Sequence, residues 1–156
     1  SIHDFGCGFG DLNKFLNKKF NKISYFGTDI SKMMIEEAIK KNRKNSKFYN
    51  YDIINQKFNK KFVCDYVLNS GVFTVKDRIS SEKWWNYVKI GIFSMFKYSR
   101  KGIAFNLMTS NVDYKDNHLF YKSSIEVSDF IKKNISQKIK IFYSHKLWEY
   151  TIFIYK

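Results

Sequence analysis

The sequence predicts an α/β fold, in which helices cover both faces of a mainly parallel β-sheet. Short apolar runs of strand length alternate with longer segments whose apolar residues recur at helical spacing. A glycine-rich segment directly follows the first apolar run, as is typical of strand-to-helix turns in such folds. The 156 residues contain no proline and no low-complexity linker, so we expect one domain spanning residues 1–156.

The first half of the chain contains four predicted strands and two predicted helices. The strands are Ile2–Phe5, 23–27, 47–49 and Cys64–Asn69. The first helix follows the glycine segment, and its apolar residues are Leu12, Phe15, Leu16 and Phe20. Ser31 is a favoured N-cap for the second helix, because its hydroxyl can accept a bond from a free backbone amide. That helix presents one apolar face, formed by Met34, Ile35, Ala38 and Ile39.

The second half of the chain continues the alternation and then changes to consecutive strands. Helices are predicted over Ser81–Tyr98 and 126–133, where apolar residues recur at turn spacing. The strands are 103–108, 138–144 and 148–155. Only residues 145–147 separate the last two strands, and so short a connection cannot make a parallel crossover. The chain is therefore predicted to end in an antiparallel hairpin.

The glycine segment has the pattern acidic-x-Gly-x-Gly-x-Gly, from Asp4 to Gly10. Glycine adopts positive φ and has no side chain, so the backbone of such a turn can approach a ligand closely. Asp29 ends the second predicted strand, at about the separation at which a carboxylate meets a ribose diol in βαβ units. A dinucleotide-binding turn would need its third glycine at position 11, which is Asp11. These features predict a nucleoside cofactor pocket of another kind.

The order of the motifs resembles that of the class I S-adenosylmethionine-dependent methyltransferases. The glycine motif is followed by the segments 27–31, 50–53 and 64–71, and the series covers roughly the first half of the chain. The resemblance implies a Rossmann-like three-layer α/β/α sandwich whose seven-stranded sheet has the order 3-2-1-4-5-7-6 with an antiparallel last strand. It also implies S-adenosylmethionine (SAM) as cofactor, S-adenosylhomocysteine as product, and no metal. The family usually has a helix before the first strand, so we expect that helix to be missing from this sequence.

The resemblance assigns cofactor-binding roles residue by residue. The residues expected to bind SAM are Asp4, Gly6, Cys7, Gly8, Gly10, Asp29, Ile30, Met33, Asp52, Ile53, Asn69, Ser70 and Gly71. Asp4 would lie near the methionine ammonium group, Asp29 would bind the ribose hydroxyls, and Asp52 would accept from the adenine amino group. Asn69 would end the fourth strand at the ligand crevice, and Ser70, Gly71 and Val72 would pass beside the sulfonium. Two carboxylates also have simpler interpretations, Asp29 as a helix cap and Asp52 as a loop residue.

The net charge of +14 has a compositional explanation. Only three of the 28 basic residues are arginine, and the abundance of Lys, Asn, Ile, Phe and Tyr is typical of A/T-rich coding sequences. Because arginine is the preferred residue for contacts to phosphates and bases, a solvated lysine surface is favoured over a dedicated nucleic-acid face. The two cysteines form no disulfide framework. No signal peptide and no membrane-length apolar run is present, which predicts a cytoplasmic protein.

The expected activity is methyl transfer to the oxygen or nitrogen of a small molecule or sugar-like metabolite. With no proline, the chain lacks the Asn/Asp-Pro-Pro-aromatic motif of enzymes that methylate amino groups of nucleic acids. The loop 109–121 follows the fifth strand, at the sheet edge where α/β proteins place ligands. His118 is the candidate general base in this loop, and Tyr114 and Tyr121 are candidate positioning groups. Each of the three also fits an ordinary solvated loop.

Three alternatives to a small-molecule methyltransferase stay open. An RNA- or protein-modifying methyltransferase would dock its substrate on the lysine surface, so its substrate binding would weaken strongly with salt. A catalytically silent module would bind SAM without turnover. A nicotinamide-dependent oxidoreductase is disfavoured by the position of Gly10. A nucleic-acid acceptor is thus retained but not favoured, no membrane partner is expected, and the oligomeric state is open. The spacing of His3, His118 and His145 indicates no metal site.

Overall fold

The structure, a computed structural model, describes residues 1–42, 46–143 and 148–156. The strands are β1 (Ile2–Phe5), β2 (Tyr25–Asp29), β3 (Lys47–Asn50), β4 (Cys64–Asn69), β5 (Ser99–Thr109), β6 (Tyr121–Lys122), β7 (Ile139–Tyr143) and β8 (Glu149–Tyr155). The helices are α1 (Asp11–Lys19), α2 (Lys32–Lys41), α3 (Ser81–Tyr98) and α4 (Ser124–Asn134), and a single 3-10 turn, Lys60–Phe62, precedes β4.

The sheet has the order β3-β2-β1-β4-β5-β8-β7, with the first five strands parallel and β8 antiparallel to both of its neighbours. The predicted order is therefore confirmed, since the strands predicted as sixth and seventh are β7 and β8. The predicted hairpin connection, residues 145–147, lies outside the described residues. Because the first five strands are parallel, their carboxyl ends meet at one edge of the sheet, which we call the carboxyl edge.

Two strands differ most from the expected elements. The two-residue strand β6 was not predicted; it pairs with the end of β5, where Met108 lies opposite Tyr121. Strand β5 begins at Ser99, directly after α3, rather than at residue 103. Strand β6 was missed because two residues are too few to show an alternating pattern. The start of β5 was missed because Ser99, Arg100 and Lys101 are polar, although Ser99 already pairs with Cys64 of β4.

Helices lie on both faces of the sheet and produce two separate apolar clusters. On one face, Leu16 of α1 and Ala38 of α2 are buried with Phe48 of β3. On the other face a larger cluster contains Ile92 of α3 and Ile131 of α4. The predicted three layers are therefore present as two helix layers with the sheet between them. No helix in the described part of the chain combines the length and apolar character needed to cross a membrane.

The apolar faces expected for α1 and α2 are only partly buried. Leu16 and Ile35 are in the core, whereas Phe15 and Ile39 are each more than half exposed. Phe20 follows the end of α1 and is exposed as well. The apolar pattern therefore located the helices but overestimated the width of the buried stripe.

A neutral histidine lies inside the sheet. His3 of β1 is fully buried, its ring stacks on Phe26 with 4.5 Å between centroids, and its Nε2 is 2.8 Å from Thr28 Oγ1. Burial lowers the pKa of His3 to about 3, because the apolar surroundings disfavour the charged imidazolium. Between about pH 6.5 and pH 3, His3 is therefore neutral in the folded protein but protonated in the unfolded chain.

We expect the double variant His3→Phe/Thr28→Val to remove a pH dependence from stability. The unfolded histidine binds a proton below about pH 6.5, whereas the folded one does so only near pH 3, so its contribution is lost as pH falls between these values. Wild-type stability relative to the variant should fall by about 1.4 kcal/mol per pH unit between about pH 6 and 4. Urea unfolding of both proteins at several pH values measures this difference, and parallel curves would contradict a neutral buried His3.

Candidate active site

The glycine loop joins β1 to α1 in a series of left-handed turns. Gly6, Gly8 and Gly10 have φ values of 74°, 50° and 76°, a region that other residues rarely adopt. The N–H groups of Gly6 and Cys7 both donate to the carbonyl oxygen of Thr28, at 2.8 and 3.0 Å. The loop is therefore held against the end of β2.

The three glycines are required for different reasons. A Cβ atom on Gly6 would lie 2.0 Å from Val72 Cγ2, and one on Gly10 would lie 2.7 Å from the ring of Phe48. At Gly8 an added Cβ would meet nothing within 4 Å. Packing thus excludes a side chain at Gly6 and Gly10, whereas Gly8 faces open space. Gly8 is the point at which the loop backbone is accessible to a ligand.

The carboxylate of Asp29 joins the glycine loop to the start of α2. Its Oδ2 accepts from the N–H of Gly8 at 3.0 Å, and its Oδ1 accepts from the N–H of Ser31 at 2.8 Å. Ser31 in turn accepts from the N–H of Met34, so the expected N-cap is present. Each carboxylate oxygen retains a second lone pair that can accept from a hydroxyl group.

Asn50 fixes the turn that carries Asp29, a role that the sequence did not indicate. Its Nδ2 donates to the carbonyl oxygens of Asp29 and Ile30, at 3.0 and 2.9 Å. Asn50 of β3 lies opposite Asp29 of β2, so its side chain can also reach the carbonyl oxygen of Ile30, the residue after Asp29. The sequence feature that could have indicated this role is the polar side chain of Asn50 directly after the predicted strand 47–49.

A cleft of about 500 Å³ lies against the glycine loop, within the range of small-molecule sites. Its lining residues are Asp4, Gly6, Cys7, Gly8, Phe9, Asp11, Leu12, Phe15 and Ser70. Five of these were predicted. The pattern of α1 assigned Leu12 and Phe15 to an apolar helix face, and Phe15 is instead 55% exposed beside the cleft.

Asp4 places a buried carboxyl group in the wall of the cleft. Its Oδ2 accepts from the hydroxyl of Tyr25 at 2.7 Å. Burial raises the pKa of Asp4 to about 6; the hydrogen bond from Tyr25 opposes this shift and the charge of Asp29 adds to it. A cation bound beside Asp4 would stabilise its ionised form, which makes this wall suited to a positively charged ligand.

Burial raises the pKa of the Cys7 thiol well above its usual range, and the charges of Asp4 and Asp29 act in the same direction. Cys7 therefore stays protonated and unreactive. A Cβ atom on Gly27 would lie 2.6 Å from its sulfur, so Cys7 also fills the space between the loop and β2.

The residues predicted to contact adenine lie outside the lining of this cleft. Ile30 and Met33 are 70% and 64% exposed next to Asp29, an unusual position for large apolar side chains. The carboxylate of Asp52 accepts from the N–H groups of Ile54 and Asn55, at 2.8 and 3.1 Å, and so caps its own loop. The side chain of Ile53 is in the core. Contact of these residues with adenine stays a prediction.

Asn69 is a buried polar residue without a partner. It ends β4 between Phe5 and Phe105 of the neighbouring strands and is 4% exposed. Neither its Nδ2 nor its Oδ1 has a hydrogen-bond partner within the part of the chain that is described. An unpaired buried amide is costly, so a group that enters from the carboxyl edge and bonds to Asn69 would be stabilised.

The segment 70–71 connects this amide to a polar chain across the sheet. The N–H of Gly71, which has a φ of 87°, donates to Asn106 Oδ1 at 2.8 Å. Asn106 Nδ2 then donates to Glu149 Oε2 at 2.6 Å. Only Ser70 of this segment lines the cleft, and the predicted role of Gly71 beside the cofactor is not tested by this geometry.

The loop after β5 packs on the loop after β4. The N–H of Phe120 donates to the carbonyl oxygen of Thr74 at 2.8 Å, and Val75 and Leu119 form an antiparallel bridge. A second cavity of about 120 Å³ lies under this loop. Its lining residues are Met108, Val112, Asp113, Tyr114, Asp116, Leu119, Tyr121 and Trp148.

The three candidate catalytic residues occupy different positions around this second cavity. Tyr114 and Tyr121 line it, whereas His118 does not. The Nδ1 of His118 is 2.6 Å from Asp116 Oδ1, and Asp116 does line the cavity. The structure thus brings two of the predicted side chains together and links the third to them through a carboxylate.

Acidic residues are concentrated at the carboxyl edge of a strongly basic chain. Eight of the 14 acidic residues lie near the strand ends at this edge, at the start of α1 or β8, or in the adjoining loops: Asp4, Asp11, Asp29, Asp52, Asp77, Asp113, Asp116 and Glu149. Within the described ranges, no three His, Cys, Asp or Glu side chains are grouped so that they could hold a metal ion. The edge is therefore locally acidic, although the protein as a whole carries a charge of +14.

Comparison with known proteins agrees with this geometry. The model of the family described as "Methyltransferase domain" matches residues 3–82, which include the glycine loop, Asp29, Asp52 and Asn69. A Mycobacterium tuberculosis protein with the provisional name methyltransferase Rv1506c is 28% identical over 160 residues, which cover 100% of this chain and 93% of that protein.

Two solved structures share the fold at low sequence identity. Magnesium protoporphyrin IX methyltransferase (ChlM) from Synechocystis PCC 6803, solved with bound SAM, superimposes with a TM-score of 0.71 at 14% identity, covering 99% of this chain and 69% of that one. The methyltransferase domain of bacterial CtHen1-C superimposes with a TM-score of 0.72 at 14% identity, covering 99% and 88%. The chain belongs to the methyltransferase-domain family and is a class I SAM-dependent methyltransferase by sequence and fold.

Proposed function

We propose that this protein transfers a methyl group from SAM to the oxygen or nitrogen of a small-molecule acceptor. The observation that carries the proposal is the cleft over the glycine loop, where the open backbone at Gly8 and the buried carboxyl of Asp4 lie together. An accessible left-handed loop suits the methionine part of SAM, and the carboxyl group suits its ammonium.

The remaining cofactor contacts follow from the position of Asp29. Its two oxygens each have a free lone pair for a ribose hydroxyl, and the exposed side chains of Ile30 and Met33 lie next to it for the adenine ring. Asp52 and the backbone of Ile53 would bind the edge of that ring. Asn69, Ser70 and Gly71 would lie beside the reacting end of the cofactor.

Catalysis would depend mainly on placement. Bound SAM supplies a methyl carbon that is already activated by the sulfonium charge, so alignment of the acceptor can provide most of the rate enhancement. The proposed positioning groups are Tyr114 and Tyr121. His118, held by Asp116, is the proposed base for acceptors that must lose a proton.

Docking of a nucleic acid is the second candidate, and one basic site favours it. A cavity of about 640 Å³ is bordered by Lys60, Lys97, Arg100 and Lys156. These residues lie near the start of β5 and the end of β8, at the sheet edge opposite the cleft. A polyanion bound there would be directed away from the cofactor, which is why we prefer a small acceptor.

Calorimetric titration with SAM and S-adenosylhomocysteine tests the cofactor proposal. We expect both to bind and Asp29→Asn to weaken binding tenfold or more, since the variant loses charge-assisted bonds worth about 1.5–3 kcal/mol. Asp129→Asn, which changes an exposed carboxylate of α4, is the matched control and should bind like the wild type. Binding of NAD in place of SAM would contradict the proposal.

The affinity for SAM is expected to depend on pH through Asp4. The ionised carboxyl favours a cationic partner, and its pKa is about 6, so affinity should fall as pH decreases below that value, by up to about tenfold per pH unit. Asp4→Asn should bind more weakly and without this dependence. Tyr25→Phe removes the hydrogen bond that lowers the pKa of Asp4, so the midpoint should move to higher pH. A wild-type affinity that is constant between about pH 5 and 7 would show that Asp4 does not contact the ammonium group.

A further inference from the structure

The cavity under the loop after β5 differs chemically from the rest of the protein surface. Its lining contains three aromatic residues, Tyr114, Tyr121 and Trp148, and two carboxylates, Asp113 and Asp116. Among the described residues, no lysine or arginine lines it, although the chain has 28 basic residues. Aromatic faces and carboxylates are the two kinds of group that attract an organic cation.

We propose that this cavity, which we call the cation pocket, binds the ammonium group of the methyl acceptor. The proposal rests on the proposed function and adds the chemical class of its substrate. A substituted ammonium group can contact the ring faces of Tyr114, Tyr121 and Trp148 while Asp113 and Asp116 balance its charge. The volume of about 120 Å³ is small and suits a compact group of this kind.

The charges around the cation pocket are compatible with a cation. Asp113 has no hydrogen-bond or ionic partner among the described residues, and Asp116 uses only Oδ1, for His118. Lys76 and Lys115 line the adjoining cavity rather than this one. Lys76 is also occupied, because its Nζ donates to the carbonyl oxygen of Asn117.

Two sides of the pocket are tied to the sheet by backbone pairing and hydrogen bonds. Tyr121 belongs to β6 and lies opposite Met108 of β5, and its hydroxyl accepts from the N–H of Asp116 at 3.1 Å. On the other side, the carbonyl oxygen of Trp148 accepts from the N–H of Thr109 at 2.9 Å. These two sides therefore lose little entropy when a ligand binds.

The pocket also lies at a suitable distance from the cofactor cleft. The cleft is at the end of β1 and the pocket at the end of β5, with β4 between them, so about 10 Å separates them at ordinary strand spacing. A protonated or quaternary nitrogen has no lone pair to receive a methyl group. The ammonium group is therefore an anchor, and the methylated atom is a second group of the acceptor that reaches toward Ser70.

Titration of the ¹⁵N-labelled protein, saturated with S-adenosylhomocysteine, tests the pocket. The probes are choline, ethanolamine and 3,3-dimethyl-1-butanol, the neutral counterpart of choline. The readout is the indole N–H signal of Trp148, one of three tryptophans, identified by its loss in Trp148→Leu. We expect at least one cation to shift this signal with a Kd at least about tenfold lower than that of the neutral alcohol.

Two variants distinguish the contribution of charge to probe binding from the contribution of shape. Asp113→Asn should weaken binding of the cation about three- to tenfold and leave the neutral alcohol unaffected, because only the charged probe loses an electrostatic partner. Asp129→Asn, on α4, should change neither. Equal binding of charged and neutral probes, or no shift of the Trp148 signal by either cation, would overturn the proposal.

The same samples distinguish failure of the pocket from failure of the proposed function. If S-adenosylhomocysteine binds and the cations do not, the cation pocket is wrong and the methyltransferase proposal stands. If S-adenosylhomocysteine does not bind, the proposed function fails, and the same probes added to the free protein decide the pocket on its own.

Discussion

The carboxylate of Asp29 is the interaction on which the arrangement of the carboxyl edge depends. It accepts from the glycine loop through Gly8 and from the start of α2 through Ser31, so one side chain sets the relation between β1, β2 and both of the helices that follow them. The Thr28 carbonyl adds two bonds to the same loop. With these bonds in place, three left-handed glycines are stabilised in one conformation, which shapes the wall of the cleft.

The edge contains two cavities of different character on either side of β4. The cleft at β1 has an open backbone and a titratable carboxyl group, whereas the cavity at β5 has ordered aromatic walls and two carboxylates. Between them lie the unpaired amide of Asn69 and the Gly71–Asn106–Glu149 chain. A bisubstrate enzyme needs such a division, because each partner must be held separately while the reacting atoms meet at the strand between them.

Local chemistry explains which parts of the structure were predictable from sequence. The strand order was implied by the resemblance to a known family, whereas the glycine loop and Asp29 follow from short motifs in which the backbone itself demands glycine or a cap. The hairpin follows from the short connection that the sequence predicts between the last two strands. Asn50, β6 and the bridge between Val75 and Leu119 were missed, because each depends on contacts between segments distant in the chain. Helical periodicity located α1 but does not distinguish a side chain that faces a cleft, such as Phe15, from one that is buried, such as Leu16.

The separation of charges on this molecule has a consequence for the speed of cofactor capture. SAM carries a net positive charge near neutral pH, and the protein as a whole carries +14, so at long range the two repel. The acidic carboxyl edge attracts the same molecule only within a few ångströms. Added salt screens the long-range repulsion beyond a Debye length of about 10 Å at 0.1 M but affects the buried Asp4 much less. Association should therefore become faster with ionic strength, the reverse of the behaviour of proteins that use their overall field to draw a ligand in.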